Sequence, residues 1–272
     1  MPKPYFQTRG VACFAHRGGA ALWPENTLPA FQGGLAAGCS WIETDIHMTR
    51  DGELVTFHDH SLERTTNGRG LIRDASLAEL RRLDAGYRFS PDGRSFPARG
   101  QGITIPTLAE LVELIEGDAS ARVNVEIKQA KPSLAAALWR FIEDRGLHDR
   151  LLVASADAGL VREFRNLARG TVATSAGQRE IFGFWAAARA GLSDYVAIEY
   201  DALQVPIAFA GLDVVTPAFI EAAHRRGLQV HVWTIDAVEQ MRWLLDLGVD
   251  GIMTDYPGRL AELVRARGLV PS

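Results

Sequence analysis

Short apolar runs alternate with longer amphipathic ones along the chain. The short runs read as strands near Val11–Ala15, Trp41–His47, Arg122–Lys128, Leu151–Ser155, Thr171–Ser175, Tyr195–Tyr200, Gln229–Thr234 and Asp250–Thr254. Helical spacing lies between most of them. Leu28, Phe31 and Leu35 share one helix face, with Asn26 or Thr27 as the N-cap and Gly38 as the stop. Leu160, Val161, Phe164 and Leu167 repeat that spacing after the fourth run, and Met241, Leu244 and Leu245 before the eighth. Repeated strand–helix units predict a parallel sheet, and eight of them predict an α/β fold closed into a (β/α)8 TIM barrel. Such a barrel gathers its chemistry at the C-terminal ends of its strands.

One stretch departs from this rhythm. Residues 59 to about 106 carry the turn signals Asn67-Gly68, Pro91-Asp92-Gly93, Pro97 and Pro106, and they read as an insertion, much of it loop, after the second strand. The 272 residues are therefore expected to form one barrel domain, 1–272, enlarged by that insertion.

Composition narrows the class. Apolar residues are 47% and charged residues 23% of the chain, which excludes disordered, collagenous and membrane-spanning proteins. The first residues hold no apolar core of a secretory signal, and no run is long enough to span a bilayer. Cys13 and Cys39 read as buried free thiols. Together these features favour the cytoplasm. The net charge of −4 is wrong for gripping nucleic acid through its phosphates. The charge is uneven, however. Ser61 to Ile105 holds eight Arg against five acids, so the insertion is locally basic. A solvated face is the simpler reading, and a lid that attracts an anionic substrate the sharper one.

Alternation along strands places the candidate chemistry. Glu43 and Asp45 share a face of the second strand, and Glu126 and Lys128 share one on the third. His16 and Arg17 follow the first strand, Trp233 lies near the end of the seventh, and Asp255 follows the eighth. In a barrel all of these reach one mouth. Three carboxylates from two strands suit a hard divalent ion, Ca2+ or Mg2+, rather than zinc. Asp51-Gly52 followed by Leu54–Phe57 predicts a hairpin with a two-residue loop. That register sets His58 opposite Asp45 and His60 opposite Glu43, and geometry alone does not choose between the two histidines. A metal ion with Arg17 and Lys128 would stabilise charge on a phosphoryl group, and two histidines near neutrality would supply proton transfer on both sides of a phosphodiester. His47, His60, His148, His224 and His231 are read as structural.

The residues so assembled resemble the glycerophosphodiester phosphodiesterase family. The resemblance rests on Ala15-His16-Arg17-Gly18-Gly19, Pro24-Glu25-Asn26-Thr27, Glu43-Thr44-Asp45, Thr49-Arg50-Asp51-Gly52 and His58-Asp59. It continues in Asn124-Val125-Glu126-Ile127-Lys128, Val232-Trp233-Thr234 and Gly251-Ile252-Met253-Thr254-Asp255-Tyr256-Pro257. These blocks run in order from about residue 11 to about 260. The resemblance implies a TIM barrel of the phospholipase C-like phosphodiesterase type. It implies hydrolysis of a small glycerophosphodiester to glycerol 3-phosphate and an alcohol. Metal ligation falls to Glu43, Asp45 and Glu126, acid/base work to His16 and His58, phosphate contacts to Arg17 and Lys128, and a wall against the glycerol to Trp233.

Three rivals remain. A lysophospholipase D would need an apolar channel or loop, for which the insertion offers Tyr87, Phe89 and Phe96. A non-catalytic phosphate-binding barrel would not need His16, His58 and all three carboxylates. A metal-dependent amidohydrolase, suggested by His58-Asp59-His60, would place its His-X-His pair on the first strand, where this chain has His16-Arg17.

Overall fold

The computed structural model describes residues 3–7 and 10–269. Eight parallel strands form the barrel: β1 (Ala12–Ala15), β2 (Trp41–Met48), β3 (Arg122–Ile127), β4 (Leu151–Ala154), β5 (Ala173–Thr174), β6 (Ala202–Val205), β7 (Gln229–Val232) and β8 (Gly251–Thr254). They pair in the order β5-β4-β3-β2-β1-β8-β7-β6. A parallel bridge between Ser175 and Ala202 closes the ring. Each strand is followed by a helix: α1 (Leu28–Ala36), α2 (Leu108–Ile115), α3 (Ala135–Arg145), α4 (Ala158–Ala168), α5 (Gln178–Arg189), α6 (Pro217–Arg225), α7 (Val238–Leu247) and α8 (Pro257–Ala266). Thr27, not Asn26, caps α1, its Oγ1 accepting from the Ala30 amide.

Two apolar layers hold this shape. The barrel strands pack outward on the helices in one continuous core that includes Ile42, Val125, Val153, Phe164, Leu244 and Val264. Inside the barrel, Phe14, Trp41, Leu152 and Met253 fill the N-terminal end, where Tyr5 closes against Trp41 with ring centroids 4.7 Å apart. Above this plug the lumen turns polar. Gln204 Nε2 donates to Asn124 Oδ1 at 2.8 Å and lies 3.3 Å from His231 Nδ1. The strand register then sets Asp45 beside Glu126 one step nearer the C-terminal mouth.

The structure differs from the sequence reading at four places. The sixth strand is Ala202–Val205, not Tyr195–Tyr200. The earlier segment begins at the last residue of the 3-10 turn Ser193–Tyr195 and then runs without strand pairing, laying Val196 and Ile198 on the core. Burial of alternate residues over a core mimics strand periodicity without strand pairing. The hairpin after β2 pairs Ile46 with Thr56 and Met48 with Leu54, and the Thr49 amide donates to the Glu53 carbonyl at 2.9 Å, so its loop holds residues 50–52, three rather than two. Gly52, at φ +91°, takes the left-handed position that such a loop needs. His58 is therefore not directly opposite Asp45 by ladder register. The insertion is more ordered than a loop: Phe57, Leu62, Ile72, Leu80 and Ile105 form its own small apolar cluster. Finally, Cys13 and Cys39 are joined as a disulfide, their Cα atoms 5.0 Å apart, which corrects the expectation of free thiols. The parallel β1–β2 neighbours bring them together, and a separation of 26 residues does not reveal it.

Candidate active site

The chain leaves β1 through the turn His16-Arg17-Gly18, where Arg17 (φ +51°) and Gly18 (φ +85°) both adopt left-handed backbone. A Cβ on Gly18 would stand 2.5 Å from the Ala30 carbonyl carbon, so glycine allows the turn to lie directly on α1. That close approach aims the Arg17 amide at Glu43, whose Oε2 accepts from it at 3.0 Å. The same turn places His16 Nε2 3.8 Å from Glu43 Oε2 and His16 Nδ1 2.6 Å from Asp255 Oδ1.

Glu43, Asp45 and Glu126 converge as the alternation argument required. One carboxylate oxygen from each lies within 4.8 Å of the others. Glu43 and Asp45 are buried, and Glu126 is partly open to the mouth. Lys128 Nζ sits 3.1 Å from Asp45 and 2.9 Å from Glu126, and Arg17 Nε lies 3.3 Å from Asp45. Burial raises Glu43, and the charge of Asp45 adds to it, bringing its pKa up to about 7. Burial also works against charge on Asp45, but Lys128 and Arg17 outweigh it and hold that carboxyl below its ordinary range. Three carboxylates gathered this closely are hard oxygen donors that could hold a divalent cation.

Each candidate histidine has a carboxylate behind it. His58 Nδ1 is 2.6 Å from Asp59 Oδ1, mirroring the His16–Asp255 pair. Arg64 of the insertion donates from Nε to Asp59 at 2.6 Å and grips Glu25 through both terminal nitrogens at 2.6 and 2.7 Å. Burial opposes charge on Asp59, but Arg64 and His58 take its pKa down to about 2. For His16, burial favours the neutral ring, yet Asp255 and then Glu43 outweigh it and raise its pKa. His60 does not join them. It is exposed, and its ring packs on His47 at 5.1 Å. His47 and His231 are buried, and burial lowers them to about 4 and about 3, in keeping with a structural reading.

Three residues make orienting contacts that the sequence reading did not assign to them. Asn26, buried and at φ +56°, donates from Nδ2 to Asp45 at 2.9 Å while its Oδ1 accepts from Thr44 at 2.7 Å. It fixes the carboxylate from below. Asp59 and Asp255 orient the histidines. The sequence signal for Asn26 is its place in the block Pro24-Glu25-Asn26-Thr27.

Trp233, 43% exposed, stands at the edge of a cavity of about 610 Å3 that also reaches Glu126. Some arginines of the basic insertion are held by neighbours, while Arg69, Arg82 and Arg94 are exposed. Arg64 is engaged by Glu25 and Asp59, Arg81 by Glu110, and Arg99 stacks on Tyr87 and Phe96.

Comparison with known proteins gives this arrangement a lineage. Residues 16–259 match the Glycerophosphoryl diester phosphodiesterase family. The chain belongs to this family. It is thereby a phosphoric diester hydrolase. A glycerophosphodiester phosphodiesterase of Caldanaerobacter subterraneus subsp. tengcongensis is 34% identical over 258 residues, covering 93% of this chain and 98% of that one. A putative glycerophosphoryl diester phosphodiesterase structure from Silicibacter pomeroyi superposes with a TM-score of 0.79 at 28% identity, covering 97% and 96% of the two chains. A phosphodiesterase of Oleispira antarctica, solved with sn-glycerol-3-phosphate as product, superposes at 0.73 with 26% identity, covering 96% and 99%. No helix among the described residues is long and apolar enough to cross a membrane.

Proposed function

We propose that the protein hydrolyses glycerophosphodiesters to glycerol 3-phosphate and an alcohol, with a divalent cation at the barrel mouth. The observation that carries this reading is the meeting, at one mouth, of three carboxylates within 4.8 Å and two carboxylate-backed histidines. The product bound in the Oleispira antarctica relative supports the same choice of substrate.

Glu43, Asp45 and Glu126 would hold the ion, either Ca2+ or Mg2+, since the donors are all hard oxygens. A bound divalent ion there supplies charge stabilisation for the phosphoryl oxygens. Arg17 and Lys128 add fixed positive charge beside the carboxylates and would bind the phosphate from the protein side. His16 and His58 divide the proton transfers: one accepts the proton of the attacking hydroxyl, the other donates to the leaving alcohol. Asp255 and Asp59 accept from Nδ1–H of the two rings, which leaves each Nε2 for exchange with substrate. Trp233 would stand against the glycerol carbons. The 1–272 chain would act as one barrel domain with its insertion contributing Arg64 as a brace for Asp59.

The test is direct. Purified protein supplied with Ca2+ or Mg2+ releases glycerol 3-phosphate from glycerophosphocholine or glycerophosphoethanolamine, and the release stops when a chelator is in excess. No release from any glycerophosphodiester with either ion would overturn the reading.

A further inference from the structure

The large cavity beside the metal cluster is apolar. Its walls come from two elements that sequence reasoning did not connect to the site. Helix α5 contributes Ile181, Phe182 and Trp185, and the β6–α6 connection contributes Phe209, Leu212 and Val214. Within that connection Ala208-Phe209 pairs with Leu212-Asp213 in a small antiparallel hairpin. Phe209 and Leu212 are direct cross-strand partners, so they present one apolar face together. Trp185 Nε1 donates to the Asp213 carbonyl at 3.1 Å and ties the two walls to each other.

These walls are costly to leave in water. Phe182 is 66%, Phe209 63% and Leu212 51% exposed. Apolar side chains gathered around a concave opening mark a binding site rather than ordinary surface. The floor of the same cavity reaches Glu126 and Trp233, so its occupant is continuous with whatever is held at the carboxylate cluster.

What that occupant is follows from size and charge. About 610 Å3 has room for about 20 heavy atoms at roughly 30 Å3 each, more than a small head group needs. Glu126 is the one acid among the lining residues, and Arg179 stands at the rim. Glu126 is already engaged by Lys128 at 2.9 Å, so no unpaired carboxylate of the lining faces a cationic choline or ethanolamine group. Aliphatic and aromatic side chains in this number suit a hydrocarbon chain. Because Trp233 faces the glycerol in the reading above, the chain would be attached to the glycerol.

We propose that this cavity takes the acyl chain of a single-chain glycerophospholipid, so that the protein acts on lysophospholipids in preference to their deacylated counterparts. The proposal rests on the phosphodiesterase reading and adds the substrate class. The net reaction consumes one water. The phosphorus–oxygen bond to the head-group alcohol breaks, the water oxygen ends on phosphorus, its proton passes to the alcohol oxygen, and the other product is an acylglycerol phosphate.

The experiment compares glycerophosphocholine with a lysophosphatidylcholine whose eight-carbon acyl chain keeps it monomeric, following choline release from both with Ca2+ or Mg2+. The expected kcat/KM is at least tenfold higher on the acylated substrate. A Phe209→Ser/Leu212→Ser double variant, which alters exposed residues outside the catalytic groups, should lose at least fivefold on the acylated substrate. It should stay within twofold of the unsubstituted protein on glycerophosphocholine. Release from glycerophosphocholine with no preference for the acylated form, or an equal loss on both substrates in the double variant, overturns the proposal and leaves the phosphodiesterase reading standing. Release from neither substrate overturns both.

Discussion

Asp255→Asn isolates the contribution of the carboxylate behind His16. Asp255 is well placed for this test because its backbone amide is itself held by Asp236 Oδ1 at 2.9 Å, so the substituted side chain stays in position. The perturbation keeps shape and removes charge from a 2.6 Å contact with His16 Nδ1. A hydrogen bond to a charged group contributes about 1.5–3 kcal/mol. If that stabilisation is realised as the ring gains charge during proton transfer, its loss raises the barrier by the same amount. At about 1.4 kcal/mol per factor of ten, kcat falls by about 10–150-fold. Because Asp255 does not hold substrate in this account, KM should stay within threefold. The assay is steady-state hydrolysis of glycerophosphocholine at saturating divalent ion, repeated in His16→Ala and in the double variant. Residues that act as a unit are non-additive, so the double variant should be no worse than His16→Ala alone. A kcat within twofold of the unsubstituted protein, or losses that multiply in the double variant, would refute the reasoning.

Other consequences are as specific. His58→Ala should lower kcat at least 100-fold while His60→Ala stays within threefold, because His58 bears on Asp59 and His60 packs on His47; the reverse order would move the second proton-transfer role to His60. Gly18→Ala adds a Cβ 2.5 Å from the Ala30 backbone at a left-handed φ, which should cost about 2–5 kcal/mol and lower Tm by on the order of 10 °C in thermal unfolding. His231, buried and held to about 3, favours the neutral ring in the folded state, so its contribution to stability is intact above about 6.5 and is lost as pH falls toward about 3. Denaturant unfolding of His231→Gln should therefore show a shallower loss of stability between pH 6.5 and 4 than the unsubstituted protein; parallel slopes would contradict this.

The parts of the structure that depend on local periodicity were legible before any coordinates. Glu43 and Asp45 share a strand face, and Glu126 sits on the neighbouring strand, so their meeting follows once β2 and β3 pair. His16 and Trp233 follow from their positions at strand ends. What escaped depends on backbone detail or on tertiary contact. The hairpin register slipped by one residue because Gly52 takes a left-handed position in a three-residue loop, a choice that Asp-Gly alone does not make. Val196 and Ile198 imitate a strand because an extended segment over a core buries alternate residues too. Asn26 holds Asp45 only because its own backbone turns left-handed, and the disulfide forms because the pairing of β1 with β2 brings Cys13 beside Cys39, just ahead of β2. The sequence offers aromatic side chains for an apolar wall in the insertion, at Tyr87, Phe89 and Phe96. In the fold Arg99 covers Tyr87 and Phe96, while Phe209 and Leu212 are carried to the mouth by a hairpin far along the chain.

The sequence charge of −4 also takes on a different meaning. Glu43, Asp45 and Glu126 account for part of the negative excess, and they concentrate it where a divalent ion would reverse the local field toward an anionic substrate.

The central claim is metal-dependent cleavage of a glycerophosphodiester at that cluster. The measurement that tests it most directly is product release from glycerophosphocholine by metal-stripped protein, before and after Ca2+ or Mg2+ is restored, alongside a Glu43→Gln/Asp45→Asn variant. The account predicts negligible release from the stripped protein, recovery on adding the ion, and no recovery in the variant. Undiminished release under exhaustive chelation, or full recovery in the variant, would contradict it.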